Sequence, residues 1–186
     1  MPFLELATVM MLAKECVPSH PHLRERLIAH AKVESGWDPL ALHDNTTSAS
    51  FRPKSLDEAR RILASLNGHS VDAGISQITR ANWPATGLRS PQLLFNATAN
   101  LCAGAIVLAQ DYQVACMYNT GRPHCENGYP ALIDHAHAVI ARQLAQGTPS
   151  DFPTAAQDRA TTRQSIGATP VIELNDQILT MGRRKK

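Results

Sequence analysis

Between residues 21 and 34 the apolar and polar positions alternate at helical spacing. Leu27 and Ala31 stand four apart, and Glu34 falls three further on, on the same stripe. Glu25 and Lys32 fall on the opposite side. The segment "SHPHLRERLIAHAKVES" predicts a helix that starts with Ser19 or His20 as cap and Pro21 in the first turn. Its core-facing stripe therefore ends on a carboxylate, with Gly36 and Pro39 closing the helix just behind it.

The same reading predicts further helices. In the N-terminal "MPFLELATVMMLAKEC", Leu4, Ala7, Val9, Met11 and Leu12 fit a buried first helix. "SLDEARRILASLNG" has Ser55 as cap, Glu58 to complete a capping box and Gly68 as stop. "SPQLLFNATANLCAGAIVLAQDY" predicts the longest helix, capped by Ser90 with Pro91 at the first position. "GYPALIDHAHAVIARQLAQG" predicts the last, stopped by Gly147. Between the first clear helices, "DPLALHDNTTSASFRPK" has room for a short hairpin or extended arm. The expected fold is mainly α, with at most that small β element. After Gly147 the apolar period disappears, and "TPSDFPTAAQDRATTRQSIGATP" has the composition of a solvated segment. One domain is expected over residues 1–146, followed by a flexible linker and tail over 147–186, in which "VIELNDQIL" is the only apolar cluster.

Composition changes this picture little. The 186 residues suit one domain with a real core. A net charge of +2 carries no nucleic-acid signature, and no nucleic-acid partner is expected. No apolar run is long enough to span a membrane. Glu5, and the lack of a basic residue before Lys14, make the N-terminus a poor signal peptide. The four cysteines form no CxxC pair and show no zinc-ligand spacing, so no metal is expected. Cys116 and Cys125 flank the turn-rich "MYNTGRPH", where a bridge is easy, which leaves Cys16 and Cys102 as a second pair. An even count without a metal pattern favours an oxidising compartment, and four free buried thiols are the alternative.

A carboxylate on a buried stripe raises its own pKa, and a carboxyl that stays protonated near neutrality is what a general acid in glycoside cleavage needs. Two more segments bear on this. In "DAGISQI", residues 72–78, Gly74 permits close backbone approach and Gln77 offers an amide suited to acetamido groups and hydroxyls. In "ACMYNTG", residues 115–121, Tyr118 and Asn119 precede a glycine turn, and Tyr118 offers a hydroxyl to a buried carboxyl. Each segment alone also fits an ordinary turn or helix end. Other patterns are weaker. "GHSVDAG" lacks the last glycine of a nucleophile elbow. His135 and His137, two apart on a helix, face different ways. "NAT" at 96–98 lies inside a predicted helix, and Trp37 and Trp83 fit either a sugar cleft or simple packing.

Taken together, "ES-G", "G-I-S-Q-I" and "A-C-M-Y-N-T-G", each about forty residues after the last, resemble the soluble lytic transglycosylases, a family with the lysozyme-like, mainly helical α+β fold around a sugar-binding cleft. The VirB1-like branch, serving type IV secretion and conjugation, is the most similar. The "SLDEARRILASL" helix and the placement of Cys16 and Cys102 also resemble it. The resemblance spans residues 3–145, and Ser76 departs from it by standing where the family usually has Met or another apolar residue.

The resemblance implies that Glu34 is the acid/base and that Ser35 orients it and contacts substrate. It implies that Gln77 lines the cleft and that Tyr118, with its neighbour Asn119, hydrogen-bonds the glutamate. It implies cleavage of the MurNAc–GlcNAc bond of peptidoglycan with 1,6-anhydroMurNAc formation, without metal or cofactor. Implied too are a periplasmic location and partners among secretion or conjugation components. A common hydrolase pairs its acid with a second carboxylate, for which Asp38, Asp44 and Asp72 are the candidates. A lysozyme-type muramidase and a non-catalytic wall-binding assembly factor are the alternative functions.

Overall fold

A computed structural model of the protein describes residues 3–110 and 128–146. Helix α1 (Leu6–Cys16) is followed by α2 (Pro21–Ser35). Strands β1 (Leu42–Asp44) and β2 (Ala49–Phe51) form a hairpin ahead of α3 (Leu56–Ser65). Strands β3 (Val71–Ala73) and β4 (Ile78–Thr79) lead through a 3₁₀ turn at Arg80–Asn82 to α4 (Pro91–Leu94) and α5 (Ala97–Gln110). Helix α6 (Tyr129–Gln146) is the last element described.

This is a mainly helical α+β fold. Its β part is larger than the one hairpin expected: four antiparallel strands in the order β2-β1-β3-β4. The second hairpin is built from "VDAGISQIT", in strands of three and two residues. Strands that short have no room for a two-residue period to declare itself. The turn between them needs left-handed backbone, and Gly74 (φ +82°) and Gln77 (φ +47°) provide it.

The predicted longest helix is two helices. Ser90 accepts from Leu93 N as the cap of α4 (3.3 Å), and Asn96 Oδ1 then accepts from Ala99 N (2.9 Å) to cap α5. The asparagine side chain competes for the amides a continuous helix would use, which interrupts the helix at residues 95–96. On α3 the expected cap is made, with Ser55 Oγ accepting from Glu58 N at 3.2 Å. The Glu58 carboxylate turns to Lys54 N (2.8 Å) rather than back to the cap residue.

Two apolar clusters hold these elements. One lies among α1, α2, α5 and α6, with Val9, Leu27, Ala31, Leu101 and Ile140 buried in it. The other lies beneath the sheet, around Leu42, Leu63, Val71, Ile78 and Leu94. A Cys16–Cys102 disulfide, Cα atoms 4.8 Å apart, ties the end of α1 to α5. Cys116, Cys125 and the tail over 147–186 lie outside the described residues.

Candidate functional site

Helix α2 ends abruptly. Gly36 takes φ +69° and donates to Lys32 O (2.9 Å), and Trp37, also at φ +69°, donates its backbone N–H to Ala31 O (3.3 Å). The Trp37 indole donates to Ile28 O (3.0 Å), so the ring folds back on the helix and is buried. Glu34, in the last turn, is left at the edge of a cleft of about 270 Å³.

Ser35 beside it is fully buried. Its hydroxyl donates to Ile75 O (2.7 Å) and accepts from Asp38 N (3.1 Å). It therefore fastens the helix end to the 74–77 turn, and the cleft is lined by Glu34 rather than by Ser35. Asp38 accepts from Leu40 N (2.9 Å) and pairs with Arg52 at 3.2 Å, while Arg52 also donates to Ser35 O. The helix end is thus braced from both sides.

The opposite wall is the polar face of the sheet. Ser50, His43, Asp72 and Thr79 stand directly across from one another on successive strands, so their side chains share that face. Of these Ser50, His43 and Asp72 line the cleft, together with Arg52 and Gln77. His43 Nδ1 lies 2.8 Å from Ser50 Oγ. Gln77 donates its amide to Gly74 O (2.8 Å) and Ala41 O (3.1 Å), which fixes the plane of the side chain at the cleft.

Asn100, which the sequence reading did not single out, holds this wall in place. It is fully buried on α5, accepts from Ser76 N (2.8 Å) and donates to Ala73 O (2.9 Å) and Leu94 O (3.0 Å). Gly74 must be glycine for the same reason: a Cβ there would sit 2.2 Å from Asn100 Nδ2. Ser76 points away from the cleft, against Gly104 of α5, where a Cβ would meet its Oγ at 2.6 Å. A small residue at 76 lets α5 approach closely.

Glu34 is hydrogen-bonded by Tyr129, at the start of α6, whose hydroxyl donates to Glu34 Oε1. The resemblance assigns this bond to Tyr118. Tyr118 and Asn119 lie outside the described residues, and Tyr129 is a site residue that sequence reasoning missed. Its only signal was an aromatic hydroxyl at a predicted helix start. Burial pushes the Glu34 carboxyl up to about 7; the Tyr129 hydrogen bond works against that rise and the charge of Asp72 adds to it.

The other carboxylates separate by surroundings. Asp44 is buried under the sheet. Burial alone would raise its pKa, but hydrogen bonds from Thr47, His69 and Thr46 outweigh it and hold the carboxyl well below its ordinary value. Asp38 is taken up by Arg52 and backbone. Asp72 alone of the three lines the cleft, and among the described residues its Oδ1 is buried without a hydrogen-bond partner. The Trp83 indole donates to Ile78 O (2.7 Å), so this tryptophan, like Trp37, serves packing. His137 lies 3.3 Å from Glu25, and no group of residues suited to a metal ion occurs among those described.

Comparison with known proteins bears on the family. The chain is 37% identical over 158 residues to "Protein virB1" of Rhizobium radiobacter, covering 75% of this chain and 65% of that one. It is 33% identical over 165 residues to "Protein virB1" of Agrobacterium fabrum (80% and 66%). It is 31% identical over 115 residues to "Type IV secretion system protein virB1" of Brucella abortus (61% and 47%). The chain thus spans just under two thirds of the Rhizobium and Agrobacterium relatives and about half of the Brucella one. No family model matches the chain, and no solved structure matches it.

Proposed function

Since the chain is a VirB1-like protein, we propose that it is a peptidoglycan lytic transglycosylase that opens the cell wall for a type IV secretion or conjugation apparatus. The observation that carries this reading is Glu34: a carboxyl at a cleft, held by Tyr129, with its pKa pushed up to about 7. Such a group is protonated in a useful fraction at neutral pH and becomes a base once it has given its proton away.

The reaction balances on that one residue. The Glu34 acid protonates the O4 leaving group as the C1–O4 bond of N-acetylmuramic acid breaks. The substrate's acetamido oxygen stabilises the developing positive charge at C1. The Glu34 carboxylate then takes the proton of the muramoyl C6 hydroxyl as O6 bonds to C1, which closes the anhydro ring and regenerates the acid. Gln77, His43 and Ser50 offer hydrogen-bonding groups to sugar hydroxyls and acetamides along the wall. No metal or cofactor enters these steps. A periplasmic location, with other secretion components as partners, accords with this substrate.

One observation favours a second reading. Asp72 lines the same cleft, and its Oδ1 is buried without a partner among the described residues; it is the group a muramidase would use to hold a water. Mass spectrometry of muropeptides released from purified wall separates the two, as anhydro or reducing muramic ends. Anhydro products, lost in Glu34→Gln and kept in Asp72→Asn, are expected. Reducing ends that disappear in Asp72→Asn would establish hydrolysis instead. A folded wild type that releases nothing would leave a non-catalytic role in wall binding.

A further inference from the structure

The hydrogen bond on Glu34 continues into the core. His30 lies one turn before Glu34 on α2, is almost fully buried, and its Nδ1 is 3.1 Å from the Tyr129 hydroxyl. The two rings are tilted by 57° with centroids 5.9 Å apart, so the contact is made at the ring edge rather than by stacking. Tyr129 has one phenolic hydrogen, and among the contacts described both Glu34 and His30 compete for it.

We propose that His30 is a positioning residue: it donates Nδ1–H to the Tyr129 oxygen and so commits the phenolic hydrogen to the Glu34 carboxylate. An ionised carboxylate has no hydrogen, so its contact with Tyr129 requires the phenol to donate. The hydrogen in the second contact then comes from His30. The imidazole serves as a neutral donor, since burial, aided by the nearby Arg26 charge, lowers its pKa to about 3. Bonds in such a chain polarise one another, so His30 makes Tyr129 a better donor to the carboxylate left after Glu34 has given up its proton. The proposal rests on the reading of Glu34 as the acid.

The charged and titratable groups around the chain of bonds come from several elements. Arg26 shares α2 with His30. His43, Arg52 and Asp72 face Glu34 across the cleft. On α6, His137 is engaged by Glu25, and Asp134 and His135 stand beside it in sequence. Helix α5 brings no ionisable group, its one cysteine, Cys102, being held in the disulfide. Of these, His30 lies within hydrogen-bonding distance of the Tyr129 hydroxyl.

The test is an NMR titration of the Glu34 carboxyl with ¹⁵N shifts of the His30 ring, in the intact protein and its variants. At about pH 8.5, above the Glu34 midpoint, His30 should carry its hydrogen on Nδ1. His30→Leu should move the Glu34 midpoint up by roughly half a unit. His30→Asn keeps a donor near the Nδ1 position and should bring the midpoint back. In a Tyr129→Phe background, His30→Leu should move it no further. The alkaline limb of wall cleavage should follow the midpoint, with kcat about tenfold lower in His30→Leu and KM unchanged. An unprotonated Nδ1 in the wild type, or a midpoint indifferent to His30→Leu, overturns the proposal. If His30→Leu does not fold, the wild-type tautomer and His30→Asn decide the matter. The titration needs no turnover. A protein inert on wall whose Glu34 midpoint follows His30 refutes the enzymatic reading and keeps this one; an active protein with an unmoved midpoint does the reverse.

Discussion

Tyr129 and Glu34 stand 95 positions apart in the chain and share a hydrogen bond at the edge of the cleft. The bond exists because α6 packs along α2 and brings its first residue against the last turn of its neighbour. It favours the ionised form of Glu34, while burial and Asp72 favour the protonated form. Their balance leaves a carboxyl that exchanges its proton near neutral pH.

Replacing Glu34 with Gln should lower the rate of wall cleavage by about 10²–10⁴-fold or more, since one general acid is lost. The same change should alter stability in a pH-dependent way. The folded-state pKa lies above the unfolded value of 4.5, at about 7. The wild type therefore holds its full contribution from this group below about pH 4.5 and loses it as pH rises through about 7. Thermal melts should show the two proteins alike near pH 4. Near pH 8 Glu34→Gln should be the more stable, by roughly 3 kcal/mol. A variant less stable than the wild type at both pH values would contradict the burial argument.

Asn100→Ala should destabilise the protein by about 2–4 kcal/mol. It leaves Ser76 N, Ala73 O and Leu94 O without their side-chain partner in a buried place. The damage should reach the cleft, because those atoms fix the turn that carries Gln77. Chemical denaturation measures the first effect, and wall cleavage well below the melting temperature measures the second. Full activity in a folded Asn100→Ala would show that the turn holds its shape without the clamp.

Reduction of Cys16–Cys102, or its replacement by a pair of serines, should cost roughly 3–5 kcal/mol, because the bridge closes a loop with a sequence separation of 86. The check is the denaturation midpoint of oxidised and reduced protein. Equal midpoints would mean that α1 stays on α5 by packing alone.

A chain truncated after residue 147 should fold and cleave wall like the full one, because the segment beyond has the composition of a solvated tail. Solubility, melting temperature and wall digestion of the two chains decide this. An insoluble or inactive truncated protein would show that "VIELNDQIL" docks on the domain.

What the sequence determined by itself is local. The stripe through Leu27, Ala31 and Glu34, the stop at Gly36 and the caps at Ser55 and Ser90 depend on neighbours within a turn or two, and they could be read from spacing alone. The two-residue β4 and the break at Asn96 were not legible, because each depends on a few atoms competing for the same amides. Only the tertiary structure decided which tyrosine reaches Glu34, which aspartate lines the cleft and what clamps the 74–77 turn. Tyr129, Asp72 and Asn100 lie 95, 38 and 66 positions after Glu34 (129 − 34, 72 − 34 and 100 − 34). A periodic pattern gives the face of a helix, but not which distant face it meets. That pairing is set by how α2, α5 and α6 pack together, and the partial burial that results tunes the carboxyl.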